Sequence, residues 1–114
     1  MFTFYEEEDV YRGEINGILF VCQDVEDEYE EYAEELAECY KENLPEILDF
    51  MMEDIQEIYG EISPEELIQK LGRPMIDLDV QVLTYLEHTL DGEHIIEVEF
   101  DGVFEELLYF NIDG

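Results

Sequence analysis

Cations are nearly missing from this chain. Lysine and arginine together number four among 114 residues, against 34 aspartates and glutamates, and the formal net charge is −30 at pH 7. The four are Arg12, Lys41, Lys70 and Arg73. They are scattered, so no basic stripe exists to neutralise the phosphates of DNA or RNA, and direct nucleic-acid binding is not expected. Anionic membrane surfaces are disfavoured for the same reason. No apolar run is long enough to span a bilayer. The opening segment, Met1 to Asp9, lacks the basic and apolar regions of a signal peptide, so the expected compartment is the cytoplasm. Two cysteines, Cys22 and Cys39, do not make a disulfide framework, and reduced thiols are expected.

Apolar content is not scarce. The chain is 46% hydrophobic and 13% aromatic, with eight Tyr and seven Phe. Acidic chains that stay disordered are poor in such residues. A single domain over residues 1–114 is therefore expected, burying roughly 65% of the surface of the unfolded chain.

Patterning along the chain predicts an α+β fold. Phe2, Phe4 and Val10 suggest a short opening strand interrupted by Glu6–Asp9. Asn16-Gly17 then suits a type I′ turn, pairing Ile15 with Ile18, Gly13 with Phe20 and Tyr11 with Cys22 on a core face. From about Val25 to Glu42, Tyr29, Tyr32, Ala33, Leu36, Ala37 and Tyr40 recur at helical spacing. Pro45 marks a break and the start of a second helix, in which Ile47, Leu48, Met51, Met52, Ile55, Ile58 and Tyr59 form the apolar stripe. One helix kinked at Pro45 is the alternative. Gly60 suits a helix stop. Ser63-Pro64-Glu65-Glu66 is a capping box for a third, short helix with Leu67, Ile68 and Leu71 inward.

The last forty residues read as strands. Asp91-Gly92 predicts a hairpin of residues 82–88 with 94–100, opposing Leu83 to Phe100, Tyr85 to Val98 and Glu87 to Ile96. A bulged loop at Asp101-Gly102 would bring Phe104, Leu108 and Phe110 of a final strand, 104–112, onto the core face. The expected order is β-β-β-α-α-α-β-β-β. It gives a mainly antiparallel sheet of five or six strands with helices packed on one face.

Chemistry-bearing motifs are sparse. Carboxylate pairs abound by composition alone, so none marks an acid–base site. No phosphate-cradling glycine loop, Gly-x-Ser-x-Gly elbow or His-Glu-x-x-His occurs. A Cys–His pair would draw on Cys22 or Cys39 with His88 or His94, but an acidic field raises a thiol pKa, the wrong direction for a nucleophile. The predicted register puts His88 and His94 on opposite hairpin faces, against a shared metal, and favours strand-end histidines beside solvent. Asp77-Leu78-Asp79 lacks the glycine and distal glutamate of a calcium loop. No cofactor and no dedicated metal site are expected, only diffuse cation binding.

The outer side of the helical region is the candidate site: Asp27, Glu30, Glu31, Glu34, Glu35, Glu38, Asp49, Glu53 and Glu57. A solvated helix face is ordinarily balanced by Lys or Arg at i+4. Here carboxylates stack instead, as Glu26/Glu30, Asp27/Glu31, Glu30/Glu34, Glu31/Glu35, Glu34/Glu38, Glu38/Glu42, Asp49/Glu53 and Glu53/Glu57. At about 0.2–0.5 kcal/mol per pair the repulsion sums to roughly 2–4 kcal/mol, against a typical stability of about 5–15 kcal/mol. A cost of that size points to a non-enzymatic binding or inhibitor protein whose acidic face covers a basic partner. The partner would be a nuclease, a toxin or another protein that handles nucleic acid; in composition the chain resembles immunity proteins and nucleic-acid mimics. Acidic residues mixed with Tyr5 and Tyr11 would also suit Arg and Lys through cation–π contacts. The alternatives are a stand-alone globular protein adapted to salt or to cation binding, and a small hydrolase. A homodimer through exposed strands is also compatible with the pattern.

Overall fold

The computed structural model describes residues 2–113. Seven strands and two helices follow in the order β1 (Thr3–Tyr5), β2 (Val10–Ile15), β3 (Ile18–Cys22), α1 (Tyr29–Tyr59), α2 (Pro64–Leu71), β4 (Met75–Asp77), β5 (Val82–Tyr85), β6 (Ile95–Asp101) and β7 (Glu106–Asp113). The strands lie side by side in sequence order in one sheet. All neighbours are antiparallel except β3 and β4, which the helical crossover joins in parallel. The α+β, mainly antiparallel expectation holds. The strand count rises from five or six to seven, and three helices become two.

The β2–β3 hairpin has the expected register, with Ile15 opposite Ile18, Gly13 opposite Phe20 and Tyr11 opposite Cys22. Asn16 and Gly17 both take positive φ, +52° and +83°, as a type I′ turn requires. Ile18, Phe20 and Cys22 are buried.

Pro45 does not end a helix. α1 runs through it for 31 residues, burying Ala33, Leu36 and Ala37 before it and Ile47, Leu48, Met51 and Ile55 after it. Proline removes one helical N–H, but apolar burial on both sides of it outweighs the lost bond. The kinked single helix, considered as an alternative, is thus the nearer description. α1 also begins later than expected, at Tyr29, so Asp27 lies in the preceding turn. Ile58, assigned to the inner stripe, is 56% exposed.

α2 has the expected cap: the Ser63 hydroxyl accepts from the Glu66 N–H at 3.2 Å. Leu67 and Leu71 are buried, whereas Ile68, expected inward, is 45% exposed. The three-residue β4 was not anticipated; only its pairing with β3 and β5 defines it.

The β5–β6 pairing differs from expectation by two residues. Leu83 faces Val98 and Tyr85 faces Ile96. A shift of two keeps every side chain on its face, so Leu83, Tyr85, Ile96, Val98 and Phe100 are all buried as expected. The cause is loop chemistry. Gly92 does not take positive φ. Instead the Asp91 carboxylate accepts from the backbone N–H groups of Glu93 (3.0 Å) and His94 (2.9 Å), and a long loop replaces the tight turn. His88 is buried inside that loop rather than facing solvent. Its Nε2 lies 2.6 Å from the His94 carbonyl, and its Nδ1 accepts from the Leu90 N–H at 3.2 Å.

A bulge is present, but between Glu99 and Phe100 within the β6–β7 pairing and not in the Asp101-Gly102 loop where it was expected, since Asp101 pairs directly with Glu106 and β7 begins at Glu106 and not at residue 104. It leaves Leu108 51% exposed and sets Leu107 opposite Phe100. Phe104 lies in the loop before β7, at φ +57°, with its ring buried 4.8 Å from that of Phe100. Both helices and the inner sheet face bury their residues in one core cluster.

Candidate functional site

Helix α1 carries the carboxylate face, and four of its tyrosines fix how that face is presented. Tyr29 donates to Asp79 Oδ1 at 2.8 Å, in the turn between β4 and β5. Tyr32 donates to the Gly102 carbonyl at 2.5 Å and accepts from Gln81 Nε2 at 2.9 Å. The Tyr40 and Tyr85 hydroxyls are 2.5 Å apart. Tyr59 donates to Asp91 Oδ2 at 2.6 Å. Tyr29, Tyr32 and Tyr40 do lie on the inward stripe, but each also anchors α1 through its hydroxyl. Burial raises all four above the ordinary tyrosine value, with Tyr40 and Tyr59 pushed up to about 12, so the hydroxyls remain protonated donors. The helix is held along its length, with its other side turned to solvent.

All nine carboxylates expected at the site are exposed. Glu30, Glu31, Glu34, Glu35, Glu38, Asp49, Glu53 and Glu57 lie on α1 itself, and Asp27 just ahead of it. Because the helix is continuous, Glu42 and Glu46 become i, i+4 neighbours and bridge the two clusters that a break at Pro45 would separate. From Glu30 to Glu57 the face runs about 40 Å, at ~1.5 Å per residue. Among the described residues, none of these carboxylates has a Lys, Arg or His partner within ion-pair distance. Glu30 and Glu31 benefit from the positive end of the helix dipole, whereas Glu57, with no basic residue in the last turn, is opposed by the negative end.

The arginines lie elsewhere. Arg12 pairs with Glu8 and stacks over the Tyr5 ring, its guanidinium carbon 5.0 Å from the ring centroid. Arg73 reaches Glu14 at 2.9 Å and Glu87 at 3.1 Å. Both border a hollow of about 370 Å³ on the sheet face away from the helices, together with Thr3, Tyr5 and Leu19. The guanidiniums thus compensate sheet-side carboxylates and leave the α1 face untouched.

The remaining candidates are structural in placement. Cys22 is buried in the core, and burial first, then Asp79, Asp77 and Asp24, push its thiol up to about 11. Cys22 and Cys39 are both free thiols. His94 Nδ1 lies 2.8 Å from Asp91 Oδ2, while His88 meets only the His94 backbone carbonyl, so the two imidazoles do not converge on a common ligand position. Asp77 turns back on its own chain, accepting from the Asp79 N–H at 2.9 Å. Among the described residues no cluster of His, Cys, Asp and Glu is placed to hold a metal ion, and no helix is long and apolar enough to cross a membrane.

A feature the sequence pattern did not single out lies between the helices. Leu44, Pro45 and Leu48 of α1 and Pro64 and Ile68 of α2 line a groove of about 380 Å³. Its one sequence signal was Ile68, an apolar residue of α2 expected to face inward and found 45% exposed.

No protein-family model, no curated protein and no solved structure matches this chain.

Proposed function

We propose that this is a non-enzymatic binding or inhibitor protein that covers a basic surface of a partner protein with the acidic face of α1. The observation that carries the reading is the continuous, exposed row of carboxylates on one helix, which holds a single cation, Lys41, and in which no carboxylate of the row is ion-paired among the described residues. Repulsion of that kind destabilises the free protein, and a basic partner relieves it on binding. The long-range field speeds encounter with such a partner and disfavours acidic ones. Tyrosine anchors on the opposite side keep the helix from bending away, so little order is lost on docking.

A partner whose natural ligand is a polyanion presents the matching surface: a nuclease, a toxin acting on nucleic acid, or another protein that handles it. The chain would then occupy the surface that phosphates otherwise fill, as an immunity protein or a nucleic-acid mimic does. The acidic face itself repels nucleic acid and anionic lipid.

The test is capture from lysate on immobilised protein, eluted with rising salt. A basic protein retained at low salt and released as screening shortens the Debye length supports the reading. Retention of no basic protein even at low salt sinks it.

A further inference from the structure

The groove between α1 and α2 interrupts the polar character of this surface. Leu48 forms its floor at 4% exposure, and Ile68 stands on its wall at 45% exposure, an apolar side chain left in water on a carboxylate-rich helical layer. Pro45 and Pro64 make the rest of the wall rigid, since each has a fixed φ. Pro45 has no N–H, so the Lys41 carbonyl one turn earlier loses its helical donor, and Lys41 itself borders the groove. Asp49 and Glu65 stand at its edge, and Asp49 belongs to the carboxylate face of α1.

We propose that this groove receives an apolar side chain from a cationic amphipathic segment of the partner, so that the segment's Lys and Arg residues meet the carboxylates while its apolar residue fills the hollow. The inference rests on the reading of α1 as a docking face and adds the anchor that makes docking selective. Charge complementarity fixes the occupant. A second copy of this chain carries four cations against 34 carboxylates, and Arg12 and Arg73 are already engaged within their own chain. An apolar segment flanked by acids would be repelled at the same rim. A helix laying one stripe into a groove, with charges on its flanks, is the recognition mode that this combination fits. An anchor in a small desolvated hollow supplies affinity that exposed ion pairs do not.

Two synthetic peptides of equal length and equal lysine content test it. In one, helically spaced positions carry leucines and a single tryptophan; in the other, serines replace the leucines and the tryptophan is kept. The protein has no tryptophan, so peptide fluorescence reads binding directly. The leucine peptide is expected to bind roughly ten-fold more tightly, about one step of affinity, with a blue-shifted emission. Ile68→Gln, and the milder Ile68→Ala, should remove that advantage and the blue shift while the serine peptide binds as before. Equal affinity of the two peptides for the unaltered protein, or an advantage that survives Ile68→Gln, overturns the anchor. Failure of the serine peptide to bind at low salt would instead count against the acidic face, and the leucine advantage would still report on the groove.

Discussion

Tyr59, in the last turn of α1, donates its hydroxyl to Asp91 in the β5–β6 loop at 2.6 Å. The carboxylate also accepts from two backbone N–H groups, those of Glu93 and His94. The Tyr59 bond, foremost, and then the His94 N–H hold the Asp91 carboxyl well below the usual aspartate range. A group whose folded pKa is depressed stabilises the fold above its unfolded value of about 3.9, and that contribution is lost as pH falls through the folded value. The general repulsion among 34 acids works in the other direction, since mild acid relieves it. The melting temperature is therefore expected to rise from neutral pH toward about pH 5, and to fall again below about pH 4. Tyr59→Phe should lower it by a few degrees at neutral pH and make the acid fall shallower. Thermal melts across this range, followed by circular dichroism, check both limbs.

Asp77 is shifted the opposite way. Burial raises its carboxyl, only partly offset by the backbone N–H groups of Asp79 and Val80. A raised folded pKa means that the penalty for the charged form sets in as pH rises past the unfolded value of about 3.9 and is complete above the folded value. Asp77→Asn keeps an oxygen to accept from Asp79 and Val80. It should raise the urea midpoint at neutral pH, with the gain vanishing below about pH 3.9, where both forms are neutral.

The Tyr40–Tyr85 contact sits deeper, with Tyr85 fully buried. Tyr40→Phe strands the Tyr85 hydroxyl in the core and is expected to cost about 1–3 kcal/mol. Replacing both by Phe should cost less than the two single changes together, because no polar group is left unpaired. Burial pushes Tyr40 up to about 12, so its contribution is complete below about pH 10 and is lost as pH rises through the folded value. Urea titrations of the four proteins give the coupling.

Thinning the acidic face should stabilise the free protein. Glu34 has like-charged neighbours at Glu30 and Glu38, so Glu34→Gln removes two i, i+4 repulsions, about 0.4–1 kcal/mol at low salt. The gain should shrink as salt rises. A Glu34→Gln protein no more stable than its parent at low salt would show the repulsion to be already screened.

Where local chemistry decides the outcome, the chain was readable. Asn16-Gly17 admits few conformations, and the β2–β3 register followed to the residue. Ser63 and Glu66 capped α2 for the same kind of reason. Asp91-Gly92 looked equally specific, yet the Asp91 side chain bonds to the His94 N–H and Tyr59, contacts no dipeptide reports. Pro45 misled because its cost is local while the burial that offsets it is tertiary. β4 is three residues that extend only because they pair with β5 and with a parallel neighbour, β3, more than fifty residues away. Of the site, the alternation of carboxylates with apolar residues was legible from helical period alone. The continuity of the face through Glu42 and Glu46, and the groove at Ile68, depend on how α1 and α2 lie together.

The central claim is that charge position, and not charge total, makes the partner surface. The most direct measurement compares two variants with equal charge removed, Glu30, Glu34 and Glu38 changed to Gln on α1, and Glu97, Glu99 and Glu106 changed to Gln on the sheet. Each is immobilised and challenged with lysate at low salt, with folding verified by circular dichroism. The sheet variant is expected to retain the same basic protein as the parent, and the α1 variant to lose it. Equal retention by both variants, or equal loss from both, would contradict the claim.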